Sequence, residues 1–170
     1  MKKYLIIPCL LITLKLAAQD PVVIQQQKMK DAQLLSGTWA GEGWIIMPDG
    51  KKHMFNQTEK VVGKMDGALL TIEGNGKDSE TGKSIHNAFA ILTYDNGKQA
   101  YRWTAVSSGY LTDVVPDVYP GGFTWSLRIR TGTIRYTISY TANEWIEKGD
   151  VSTDDGKSWV QNFEMHLKKS

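Results

Sequence analysis

Cysteine is almost absent from this 170-residue chain, and the one present, Cys9, lies in the first apolar stretch. Disulfide scaffolds and thiolate chemistry are therefore excluded for everything that follows that stretch. Histidine is scarce too. His53, His86 and His166 form no His-x-His, no His-Glu-x-x-His and no pairing with cysteine, so zinc has no ligand pattern. Ser107-Ser108-Gly109 lacks the Gly-x-Ser-x-Gly elbow that exposes a nucleophilic serine. No long hydrophobic run exists: Tyr4 to Leu14 falls short of the roughly 20 residues that span a bilayer, and Pro8 interrupts it. Nor does one charge dominate, with 20 Lys and Arg against 18 Asp and Glu.

The first residues carry an address. Lys2 and Lys3, the apolar Tyr4 to Leu14 and the small-residue exit Leu16-Ala17-Ala18 make a secretory signal peptide, cleaved after Ala18. Cys9 follows Ile-Ile-Pro inside the apolar region, which is not a lipoprotein pattern. The prediction is an exported protein, periplasmic or secreted, with no membrane insertion once the signal is removed. Removal takes three lysines and no acid, leaving 17 basic against 18 acidic side chains. That balance gives no electrostatic case for nucleic acid or anionic membrane.

One domain with one core fits the length. The expected layout is a signal peptide at 1–18, a leader at 19–33 and a β-barrel domain at 34–170. The polar stretch from Asp20 to Gln33 reads either as a short helix or turn capping one barrel end or as a flexible leader. From Trp39 onward, turn signals recur: Pro48-Asp49-Gly50, Asp66-Gly67, Asp95-Asn96-Gly97, Gly132 and Ala142-Asn143. Between them lie segments rich in Thr, Val, Ile, Tyr and Trp, which suit a pleated, half-buried surface. About ten strands are expected, near 38–47, 52–62, 68–75, 83–94, 99–107, 109–115, 122–131, 133–141, 144–151 and 158–168. The fold class is all-β, a single antiparallel meander barrel, with a long loop within 108–122.

Alternation assigns faces. Phe123, Trp125, Leu127 and Ile129 share one face of their strand. So do Ile134, Tyr136, Ile138 and Tyr140; Trp159, Phe163, Met165 and Leu167; and Tyr101, Trp103 and Ala105. The strand at 83–94 is ambiguous, because Ile85, Phe89 and Ile91 compete with Ala88, Ala90 and Leu92. Ser152-Thr153-Asp154-Asp155-Gly156-Lys157-Ser158-Trp159 matches the Asp-box pattern, here a stiff hairpin into the last strand. It resembles the hairpins of sialidase propellers, but it occurs once and so predicts no propeller.

Gly37-Thr38-Trp39-x-Gly41-Glu42-Gly43 on a first strand, with Gln57-Thr58-Glu59, His86-Asn87-Ala88-Phe89-Ala90 and the ending Phe163-Glu164-Met165-x-Leu167, resembles exported bacterial lipocalin-like barrels of the calycin and nitrobindin-like group. That family is largely of unknown function. The resemblance spans nearly the whole chain after residue 18 and implies an internal apolar pocket. Its nitrobindin side implies haem held by a histidine near the C-terminus, which makes His166 the positional candidate. Alternation opposes this, because His166 shares a face with Glu164 and Asn162.

The candidate function is non-covalent binding of a small apolar or aromatic ligand, with Tyr101, Trp103, Trp125, Tyr136, Phe163 and Met165 as the ligand-binding residues. No metal and no cofactor is predicted. An alternative is carboxylate chemistry. Glu59 and Glu73 flank the Asp66-Gly67 turn at nearly equal distances, and His86 could join them. Repulsion between two carboxyls in a dry interior would raise one pKa and create an acid/base pair. A third reading is an interaction or structural barrel with no internal ligand, presenting Trp44, Ile45, Ile46 and Met47.

Overall fold

A computed structural model describes residues 19–170. The signal peptide expected at 1–18 lies outside the described residues. Asp20 caps helix α1 (Pro21–Met29), its carboxylate accepting from the Val22 N–H at 2.9 Å, with Pro21 at the first helical position where a missing N–H costs nothing. A short 3-10 turn (Asp31–Leu35) follows. The leader is thus helical and tied down. Gln25 donates to the Tyr94 carbonyl at 2.8 Å, and the Tyr101 hydroxyl donates to the Lys28 carbonyl at 2.8 Å. Met29, Ala32 and Leu35 are buried beneath it and close one end of the sheet.

Eleven antiparallel strands follow. They are β1 (Gly37–Ile46), β2 (Lys52–Lys64), β3 (Leu69–Asp78), β4 (Ser84–Asp95), β5 (Ala100–Ser107), β6 (Tyr110–Val114), β7 (Asp117–Tyr119), β8 (Gly122–Ile129), β9 (Gly132–Tyr140), β10 (Glu144–Ser152) and β11 (Val160–Lys169). The strand beyond the expected ten is β7, inside the stretch read as a loop. The lateral order is β6-β5-β4-β3-β2-β1-β11-β10-β9-β8-β7, so first and last strands pair directly, with Glu42 opposite His166 and Trp44 opposite Glu164.

The two edge strands, β6 and β7, are consecutive in the chain and separated only by Val115 and Pro116. Two linking residues reach about 10 Å, so the sheet must curl until its edges are neighbours. Ring contacts agree: Trp103 on β5 meets Phe123 and Trp125 on β8 at centroid distances of 5.4 and 5.5 Å. The expectation of a closed barrel is corrected in one respect. Among the described residues no ladder joins β6 to β7, so this is one strongly curved sheet with an open seam. Pro116 lacks an N–H, and β7 is three residues long, too short to present a full edge.

The concave face holds the core. Trp39 is fully buried, donates its indole N–H to the Leu35 carbonyl at 2.7 Å and meets Trp145 edge-on at 5.9 Å. Trp44 has the opposite parity and carries Lys52 over its ring on the outer face. The ambiguous strand resolves with Ala90, Leu92 and Tyr94 buried and Phe89 exposed. The Asp-box hairpin forms as its pattern predicts. Asp154 accepts from the Ser158 hydroxyl at 2.6 Å, the Ser158 N–H at 2.9 Å and the Ser152 hydroxyl at 2.8 Å, and these donors hold its carboxyl down at about 2.

Trp159 is a correction. A register shift at Gly149/Asp150 places an irregularity in β11, and Trp159 lies under the Arg135 guanidinium, 4.1 Å from its ring centroid. Arg135 alternates with the inward Tyr136, so Trp159 belongs to the outer face and not with Phe163.

Candidate ligand-binding site

Mid-sheet, aromatic rings and buried polar side chains share the concave face. The rings form a continuous run. Trp103 lies 5.5 Å from Trp125, Trp125 stacks on Tyr136 at 4.5 Å, Tyr136 meets Phe163 edge-on at 5.9 Å, and Phe163 stacks on Phe55 at 5.7 Å. The indole N–H groups of Trp103 and Trp125 are buried without a partner. Of the six ligand-binding candidates, Trp103, Trp125, Tyr136 and Phe163 are brought together here. Met165 is buried beside them, opposite Glu147 and Gly43 in the ladders. Tyr101 is not part of the run. It packs against Tyr94 at 5.1 Å at the end covered by α1 and anchors the helix.

On the wall formed by β2 and β3, side chains and glycines interlock. Glu59 and Gln57 face inward and are only 5% and 2% exposed. They lie over Gly74 and Gly76: a Cβ on Gly74 would stand 2.5 Å from the Glu59 Oε1. Here glycine supplies the room for the opposing side chains. Gln57 donates its amide to the Glu59 Oε1 at 2.6 Å, which leaves Glu59 Oε2 and Gln57 Oε1 buried and unpartnered. His86 pairs with Gly76 across the ladder and so joins this row, and burial pushes its imidazole pKa down, favouring the neutral form.

Glu73 does not join them. It pairs with Lys60 on the outer face and is exposed, because β2 and β3 align Glu59 with Gly74 rather than with Glu73. Equal spacing from the turn suggested a pair, but Glu73 falls one residue out of register, and one residue reverses the face. The carboxyl that does approach Glu59 is Glu147 on β10. It shares the inward parity of Trp145 and Gly149. Burial raises Glu59 to about 7, partly offset by the Gln57 amide. Burial and then the Glu59 charge raise Glu147 to about 8. Two carboxyls that cannot comfortably ionise together share the inner face.

Asn162 also reaches this region through the irregularity in β11. A Cβ on Gly149 would meet Tyr136 at 3.1 Å and the Asn162 Oδ1 at 3.3 Å, and that oxygen is buried without a partner. His166 stays outside, exposed and 2.7 Å from the Glu164 carboxylate, so it does not fit a haem ligand lining the interior. Among the described residues no group of three or more His, Cys, Asp or Glu side chains is placed to hold a metal ion.

This curved meander is matched by solved structures. Rv2717c from M. tuberculosis superposes with a TM-score of 0.63 at 11% identity, covering 89% of this chain and 98% of that one. The S-type phycobiliprotein lyase CPES from Guillardia theta gives 0.56 at 10% identity, covering 81% and 89% respectively. The fold is lipocalin-like. No family model matches the sequence, and no curated protein matches it either. At such identities the lipocalin-like likeness concerns the fold alone, and any chemistry must come from this chain's own residues.

Those residues can do two things. The rings offer a flat apolar surface for stacking, with two free N–H donors in it. Opposite, the Glu59, Gln57 and Glu147 row offers acceptors and exchangeable protons. Sequence reasoning missed Glu147, Gln57 and Asn162. Only the parity of Glu147 with Trp145 could have marked it.

Proposed function

We propose that this protein binds a small, flat aromatic or apolar molecule on the concave face of its lipocalin-like sheet, stacked against Trp103, Trp125 and Tyr136. One observation carries the reading: a continuous run of rings in which two buried indole N–H groups have no partner within the protein. A packed core with no ligand would normally pair such donors, because an unmet buried donor costs about 1–3 kcal/mol. A thermal-shift screen with aromatic metabolites, haem and saturated fatty acids tests it. Aromatic compounds should raise Tm and Trp125→Ala should abolish the rise; no shift with any class would overturn the reading. The signal pattern at 1–18 supports export as part of this proposal, and a first residue of Gln19 in protein recovered from the periplasm or medium checks that. An intact N-terminus in the cytosol would contradict it.

Carboxylate chemistry is the second reading, with Glu147 in place of Glu73. It is favoured by the pairing of two inward carboxyls raised to about 7 and about 8, so that near neutral pH Glu147 holds a proton while Glu59 can accept one. Conversion of a bound screening compound, followed by mass spectrometry and lost in Glu147→Gln, would be its signature. Recovery of every bound compound unchanged would remove it.

A further inference from the structure

Stacking alone leaves the opposite wall of the site unexplained. Glu59 is almost completely buried, yet one of its oxygens meets no donor, and the same is true of the Gln57 Oε1 beside it. The Gln57 oxygen is an acceptor, and the Glu59 oxygen is one whenever the carboxyl is ionised. Glu147 faces the same space from β10, and no lysine or arginine acts on either carboxyl. The ion pairs among the described residues lie elsewhere. Arg102 pairs with Asp113, Arg128 with Asp155, Arg135 with Asp150, and Lys148 with Glu164. The other titratable groups facing the pair are the His86 imidazole, whose neutral form burial favours, and the Tyr136 hydroxyl, whose pKa is pushed up. Neither brings a positive charge.

We propose that the ligand carries a protonated nitrogen, which sits between Glu59 and Glu147 and donates to the free Glu59 and Gln57 oxygens while its ring lies on Trp125 and Tyr136. The inference rests on reading the concave face as the ligand site and specifies the class: a flat aromatic amine or amidine. A neutral donor would fill the acceptors but leave the acid pair without counter-charge. A cation does both, because it allows both carboxyls to ionise in a site where neither readily does so alone. Glycine at 74 and 76 fits this assignment. With no side chains at those positions, Glu59 and Gln57 find room against β3 on the inner wall.

Calorimetry with three matched probes tests this on the chain from residue 19: 1-naphthylmethylamine, 1-naphthalenemethanol and 1-naphthaleneacetate, each at pH 7 in two buffers of different ionisation heat. The amine should bind at least tenfold more tightly than the alcohol, the acetate least tightly, and amine binding should release about one proton as the pair gives up what it shares. Glu59→Gln and Glu147→Gln should each reduce the amine to the alcohol's affinity and leave the alcohol within about twofold, with the outward Glu73→Gln unchanged throughout. Should either variant fail to fold, the buffer-dependent heat of the unaltered protein still decides. Equal or tighter binding of the alcohol, or no proton release with the amine, overturns the cation inference and leaves aromatic binding standing. Binding of none of the three overturns both.

Discussion

Glu59 owes its position to what β3 lacks, and its protonation to what surrounds it. Its carboxyl lies over Gly74, accepts one hydrogen bond from Gln57 and is raised from 4.5 to about 7 by burial. The folded state therefore binds a proton that the unfolded chain releases. The stability linked to that proton is fully present below about pH 4.5 and is lost as pH rises through 7, with Glu147 extending the loss to about 8. At about 1.4 kcal/mol per pH unit, Glu59 alone accounts for up to roughly 3 kcal/mol across that window. Denaturant midpoints should fall steadily from about pH 7 to 9, above the range in which the lowered His86 imidazole acts in the opposite direction. Glu59→Gln should flatten the fall, leaving the variant more stable than the parent at pH 9 and no more stable at pH 5. The depressed carboxyl of Asp154, at about 2, acts only at much lower pH and does not enter this window. A difference between parent and variant that does not change with pH would contradict the assignment of the buried proton.

At the level of elements, α1 stands between a free leader and a structural lid. Its few polar anchors, Gln25 to Tyr94 and Tyr101 to Lys28, position it, but Met29 is what fastens it, being fully buried under the sheet end. Met29→Ala should cost about 2–5 kcal/mol in chemical denaturation, as deletion of a buried Met side chain does. A loss below about 1 kcal/mol would show that the end can collapse without the helix. Much of the element map was legible. Asp-Gly and Asn-Gly turns marked four of the hairpins, and alternation placed Trp103, Trp125, Tyr136 and Phe163 on one face, as observed. What alternation could not show was register. The offset of Glu73 from Glu59 depends on how β2 and β3 align, and the parity change between Trp159 and Phe163 depends on an irregularity in β11, whose only glycine lies on the partner strand β10. Glu147 was hidden for a different reason: a charged residue on a strand reads as outward, and its burial depends on strands far away in sequence.

For the whole molecule, the decisive feature is the seam. Strands β1, β2 and β11 lie at the middle of the lateral order and are laddered on both sides, while β6 and β7 are laddered on one side only and joined by Val115-Pro116. Opening the molecule at β6 and β7 breaks the fewest backbone hydrogen bonds. It also uncovers the inner face next to Trp103 and Trp125, whose rings meet across this region. Local stability should therefore be lowest where a ligand would pass, a coupling that binding proteins need if their site is to fill and empty without global unfolding. Hydrogen exchange with mass spectrometry should find the amides of 110–119 exchanging far faster than those of β1, β2 and β11. A bound aromatic ligand should slow exchange in β5 and β8 by bridging the two flanks through their rings. Equal protection across all eleven strands would mean the seam is stapled by side chains as firmly as by a ladder, and access would then have to run past the end opposite α1.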